Sequence, residues 1–311
     1  MNFSIIVYGS NLVLLFFGFI FHIVFLILIC IKIRPLASNV LSILISNSYL
    51  ALILSSIALF EASLTSFLGN LNSWILFGTS LCKIRAYLII VGESSMSYSL
   101  LLQAFFRLFR IVFYQRRALR SFRVFSIAII LQWLFVFLIN LLYIFLNEFQ
   151  YIPSEYRCEI PVNNVSGVAM RVMLTYILPV NTIFLIYFYI IRYVRRTTNA
   201  VQTRQNINKR DMMVFKRIII LFIVLQILST PLFVVWILYF ITGYISSWNY
   251  YFLAFVSSFG QLVMSFVLAS TTSQIRAKFK WKLCQVHPNI EMRIRDRNTQ
   301  ESDHHDLKEK F

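Results

Sequence analysis

The stretch SNLVLLFFGFIFHIVFLILICI, residues 10–31, contains no Asp, Glu, Lys or Arg. A helix needs about 20 mainly apolar residues to cross the roughly 30 Å hydrocarbon layer, so this run is long enough to span a membrane. Six further runs follow at 39–62, 82–106, 124–146, 168–191, 213–241 and 248–271, each bounded by charged, Pro, Gly or Asn residues. Strands of a membrane barrel are about half as long and alternate inward and outward side chains, which these runs do not. Lipid offers nothing to satisfy free backbone groups, so helices remain. The expected fold is an all-α membrane protein, a bundle of seven transmembrane helices.

Composition agrees. Hydrophobic residues make up 59% of the 311 positions and charged residues 13%, a balance no water-soluble domain could bury. The formal net charge of +17 raises the question of nucleic acid, but the basic residues are segregated rather than pooled. Lys32 and Arg34 follow the first run. Arg107, Arg110, Arg116, Arg117, Arg120 and Arg123 follow the third, eight Lys or Arg between Arg192 and Arg217 follow the fifth, and nine come after residue 275. Together these are 25 of the 29 basic residues, all on one side of the bundle. The positive-inside bias makes that side cytoplasmic, with the amino terminus outside and the carboxyl terminus inside. Nucleic-acid binding would not require this alternation.

The sequons at Asn2 and Asn164 fall in segments assigned to the outside and are candidate glycosylation sites. Nothing before residue 10 supplies a basic region or a small-residue cleavage site, so the first crossing is expected to act as its own insertion signal. Cys82, at the outer start of the third crossing, and Cys158, in the loop after the fourth, share the oxidising side; a disulfide is favoured over two free thiols. Cys30, at a helix end, is expected to pack in the bundle. Cys284 lies just past the basic, aromatic stretch 276–282, where either a palmitoyl group or an unmodified thiol fits.

Cys82 and Arg107 are separated by about 38 Å of helix at 1.5 Å per residue, the span from outer to inner interface. Trp74 and Phe77-Gly78 precede Cys82; Trp133 lies in the fourth run, Pro179 and Tyr187 in the fifth, Pro231 in the sixth. This joint spacing resembles the rhodopsin-like G-protein-coupled receptors, over about residues 10–283. It resembles a divergent member, neuropeptide-receptor-like and of the kind found in invertebrate expansions. The resemblance implies a receptor domain over 1–283 with an interfacial helix over 273–283, a disordered tail over 284–311, and a multi-pass location in the plasma membrane. It implies an extracellular ligand held in the outer bundle and a heterotrimeric G protein at a cytoplasmic cleft lined by Arg107, Arg110, Tyr187, Lys216 and Arg217. It also implies kinks at Pro179 and Pro231, where a missing N–H frees a carbonyl and bends the helix. No cofactor, metal or enzymatic activity is implied. The departures are specific: Phe106 and Leu108 flank Arg107 in place of the family's acidic and aromatic neighbours, and the second run has no Asp. Leu228-Ser229-Thr230-Pro231 stands for the usual Cys-Trp-x-Pro, and Ser265-Phe266-Val267-Leu268-Ala269 lies near the expected Asn-Pro-x-x-Tyr.

The seventh run has no lysine for a retinal Schiff base, and no Asp lies near Ile89 and Ile90 to hold an amine. Two charges remain in the upper bundle once Glu61, Lys83 and Arg85 are assigned to outer helix ends: Glu93 and Arg171. Charges are costly in lipid, so these face the interior, pair with one another or contact a ligand, Glu93 holding a basic group; the other reading is a protonated or internally paired Glu93 with Arg171 snorkelling to the outer interface. The loop 147–167 carries Glu148, Glu155 and Glu159. It is either a solvated charged loop or, as in similar receptors for peptides, a hairpin whose acidic rim attracts a cationic peptide. Phe233, Trp236 and Tyr239 could add aromatic contacts or simply pack against lipid. The alternatives are a transporter or channel, which would usually show internal repeats, and an enzyme, which would need a nucleophile-base pair or metal cluster that His22, the one histidine within the apolar runs, cannot make. The pair His304-His305 is read as part of a solvated tail.

Overall fold

The computed structural model describes residues 3–32, 40–71, 79–198, 223–224, 226–228, 230–244 and 247–271. The chain divides into two compact units, Met1–Val267 and Leu268–Phe311; of the second, only the end of the last helix is described. The elements are α1 (Phe3–Lys32), α2 (Val40–Asn70), α3 (Thr79–Ile111), a 3-10 turn (Arg117–Arg120) and α4 (Phe122–Phe145). A hairpin of β1 (Gln150–Ile152) and β2 (Arg157–Glu159) follows, then α5 (Val165–Arg171), a π-helical stretch (Val172–Ile177), α6 (Leu178–Thr198), α7 (Gln226–Thr242) and α8 (Ser247–Thr271).

Among the described residues six helices are long and apolar enough to cross a membrane, α5 through α6 forming one continuous span. The shorter α7 covers the second half of the run expected at 213–241, whose first ten residues lie outside the described ones. The interfacial helix expected at 273–283 and the tail lie outside them as well.

Helices α1 and α2 run well past their expected outer ends, for the same reason. Helix α1 starts at Phe3 rather than near residue 10, because its polar residues find partners: Ser4 Oγ donates to Asn70 Oδ1 at 2.8 Å and the Tyr8 hydroxyl donates to Glu155. Helix α2 continues to Asn70 rather than stopping near 62. Glu61 is therefore inside the helix, not at its end, and is matched by Arg85 Nε at 2.8 Å. Thr65 Oγ1 returns to the Ala62 carbonyl at 2.8 Å.

Small residues set how closely the helices approach. A Cβ on Gly92 would meet Ser55 Cα at 2.7 Å, so α3 lies directly on the backbone of α2. From this point towards the Arg107 end, hydroxyl and amide groups join the helices. Ser48 and Ser99 share a bond of 2.9 Å, Gln103 Nε2 donates to Ser48 Oγ at 2.8 Å, and Trp133 Nε1 and Gln132 bind the two ends of the Asn47 amide at 2.8 Å each. Each replaces an unsatisfied polar group in a medium without water.

Helix α6 opens at Leu178-Pro179. Pro179 has no N–H to give the Thr175 carbonyl, and the turn immediately ahead is π-helical. Broad apolar faces stay exposed on α1 and α4, for example Ile130 at 66%, as suits contact with lipid. Cys30 is on such a face, exposed rather than packed in the bundle; a small apolar thiol is at home against lipid as much as against protein.

Candidate ligand cavity and the Arg107 end

Cys82, in the first turn of α3, and Cys158, in β2, form a disulfide with Cα atoms 5.3 Å apart. It fixes the hairpin across one end of the bundle, with Tyr151 opposite Cys158 and Ile152 opposite Arg157. The turn between the strands is held from below. The Glu155 side chain is fully buried, accepts from Tyr8, and its carbonyl accepts from Ser66 Oγ at 2.6 Å. Tyr156 takes a positive φ of 53° and lays its ring on Gly69, where no Cβ would fit.

Beneath β2 is a cavity of about 80 Å³. Its wall includes Glu93 from α3, Arg157 and Glu159 from β2, Arg171 from α5, and Leu228 and Leu232 from α7. The four charges form a line. Arg171 Nη2 is 2.7 Å from Glu93 Oε2, its Nη1 3.3 Å from Glu159 Oε1, and Arg157 Nη2 is 2.8 Å from Glu159 Oε2. Glu93 is therefore paired internally, and Arg171 is buried against it rather than snorkelling to the outer interface. Burial pushes the Glu159 carboxyl up, but Arg157 and Arg171 outweigh it and hold the group below the usual carboxylate range. Burial works against the Arg157 cation too, and Glu159 together with Tyr8, Glu155 and Tyr250 more than offsets it. Glu155 is the opposite case: burial raises it beyond what the Tyr8 hydrogen bond and Arg157 lower it.

The expected acidic rim thus does not stand free. Glu155 points into protein, Glu159 is shared by two arginines, and Glu148 accepts from Asn164 Nδ2. Asn164 also caps α5, its Oδ1 accepting from Gly167 N at 3.2 Å, and is half-buried. Phe233 and Trp236 pack against the cluster around the disulfide. Phe233 meets Tyr176 edge-on at 6.0 Å, and Trp236 Nε1 is buried with no acceptor among the described residues. Neither they nor Tyr239 are among the cavity-lining residues, which on α7 are Leu228 and Leu232.

At the far end of α3, Arg107 is buried at 8% exposure while Arg110, one turn on, is exposed. Tyr187 of α6 is buried within electrostatic reach of Arg107. Beside them Phe106 and Phe125 pack edge to face at 5.1 Å with Leu44. Lys216, Arg217, Asn2, Trp74, Phe77, Gly78 and Cys284 lie outside the described residues. No group of three or more His, Cys, Asp or Glu suited to a metal occurs among the described residues; His22 is fully buried with both ring nitrogens unpartnered.

Tyr8, which holds the hairpin, and Arg157, on the cavity wall, are members of this end that the sequence did not single out. Arg157 carried the one available signal, a basic residue next to the outer cysteine in an otherwise acidic loop.

Six apolar spans among the described residues, a hairpin tied by a disulfide and a charged cavity beneath it define a multi-pass helical membrane protein built like a receptor. The family model for the 7 transmembrane receptor (rhodopsin family) matches residues 23–272, and the chain belongs to that family. Its members are receptors for extracellular ligands that work with G proteins and in general carry no enzymatic activity. No curated protein matches the chain.

Proposed function

We propose that this receptor binds a peptide at its disulfide end and activates a heterotrimeric G protein at its Arg107 end. In that arrangement the disulfide end and amino terminus face outward, the carboxyl terminus lies inside, and the protein sits in the plasma membrane. The carrying observation is the cavity under β2, with Glu93, Arg171, Glu159 and Arg157 on its wall. Each buried charge already has a partner, so entry of a ligand must exchange one ion pair for another. Glu93 is the exchangeable carboxylate: Arg171 keeps Glu159 when Glu93 turns to a basic group of the ligand. Such an exchange would couple α3, α5 and the hairpin to occupancy.

At the Arg107 end the proposed cleft is formed by Arg107, Arg110 and Tyr187, with Lys216 and Arg217. Glycosylation at Asn2 and Asn164 and palmitoylation at Cys284 are further proposals consistent with this orientation. A transporter or channel is the alternative function; family membership favours the receptor. The test is a peptide-library screen read through a promiscuous G protein, repeated with Glu93→Gln. Loss of potency at equal surface number is expected; retained potency would sink the role of Glu93.

A further inference from the structure

Among the described residues the cavity under β2 is lined by two cations and two anions, which balance before any ligand arrives. The pairing is uneven. In the middle of the line, Arg171 has two carboxylates and Glu159 two arginines; at the ends, Glu93 and Arg157 have one partner each. Either end group can turn to a ligand in the exchange proposed above, because its neighbour in the middle of the line keeps a second counter-ion. They also sit at different depths. Glu93 lies about 16 Å along α3 from Cys82, while Arg157 adjoins Cys158 in the hairpin that covers the cavity.

A ligand group with a single charge would leave this enclosed site with a net charge, which a low-dielectric interior disfavours. A group carrying both signs adds none. Resting on the peptide reading above, we propose that the cavity receives a basic residue bearing its own free carboxylate, the unblocked carboxyl-terminal Lys or Arg of a peptide. Its side-chain cation meets Glu93 at depth and its α-carboxylate meets Arg157 under the hairpin. The guanidinium of Arg157 presents the planar fork that matches a carboxylate with two parallel bonds. A volume of about 80 Å³ is several times what a single water needs, room for the end of one residue and not for a folded segment.

The test uses the full-length receptor in membranes and two randomised peptide pools ending in Arg, one as the free acid and one as the carboxamide. The free-acid pool is expected to be more potent by about tenfold or more, since one charge-assisted pair is at stake. Arg157→Gln is expected to remove that difference, and Arg157→Lys, which keeps the charge without the fork, to retain part of it. Equal or greater potency of the carboxamide pool would overturn the carboxylate assignment while leaving the peptide reading in place. So would a free-acid preference that survives in Arg157→Gln. Silence of both pools would overturn the peptide reading, and this inference with it. The comparison on the wild type decides even where Arg157→Gln does not reach the surface.

Discussion

The two ends of the bundle are organised on different principles. At the disulfide end, described carboxylates and arginines alternate in space: Glu61 with Arg85, Glu93 and Glu159 with Arg171, Glu159 with Arg157. A covalent bond and two deep hydrogen bonds from α1 and α2 hold the hairpin over them. At the Arg107 end no Asp or Glu occurs among the described residues. There Arg107 is set beside Tyr187 and a cluster of Leu44, Phe106 and Phe125. The lesson is a division of labour: one end is fixed by matched charge, while at the other the described residues are held by aromatic packing. Damage to the first should register as lost stability, damage to the second as lost signalling.

The largest effect is expected from Arg171→Met. It strands Glu93 and leaves Glu159 with Arg157 alone, and should cost about 3–5 kcal/mol, measured as denaturation of the purified receptor in detergent. The double variant with Glu93→Gln should recover part of that loss. A single variant as stable as wild type would show the line of charges to be incidental.

Cys82→Ser comes next, at about 2–4 kcal/mol, with reduced surface delivery; normal delivery and melting would separate the hairpin from the fold. Gly92→Ala probes the middle of the bundle. Its methyl would press on the Ser55 backbone, and about 1–3 kcal/mol of destabilisation is expected. An unchanged melting temperature would mean that α2 and α3 are not so close.

The smallest effect is a pH dependence in the hairpin. Glu155 has a folded value raised by burial above the ordinary 4.5. The stability it contributes is therefore fully present below the ordinary value and is lost as pH rises through the raised one. Glu159 has the opposite sign, its value being lowered; its contribution is present above the ordinary value and lost as pH falls through the folded one. Melting temperature followed from mild acid to neutral pH should fall for wild type and stay flatter for Glu155→Gln. Identical slopes would remove Glu155 from the account.

Much of this division was legible in the sequence. The apolar runs and the one-sided basic residues follow from bilayer thickness and topology, which act locally along the chain. Cys82 and Cys158 could be paired because topology put them on one side. What the sequence hid depends on partners far away. Glu61 looked like a helix end because its match, Arg85, is on the next helix. The acidic loop looked open because Tyr8, Arg157 and Arg171 had not yet been brought to it. The start of α1 was missed because Ser4 and Tyr8 are polar until Asn70 and Glu155 satisfy them. The π-helical stretch before Pro179 had a local cause, yet proline alone does not say whether a helix kinks, ends or widens.

The central claim is that ligand held at the disulfide end is reported through Arg107, and nucleotide exchange on a reconstituted heterotrimeric G protein tests it most directly. With an activating peptide pool, wild type should stimulate exchange. Arg107→Ala should reach the surface and bind the same pool, yet fail to stimulate. Unchanged exchange by Arg107→Ala would contradict the account.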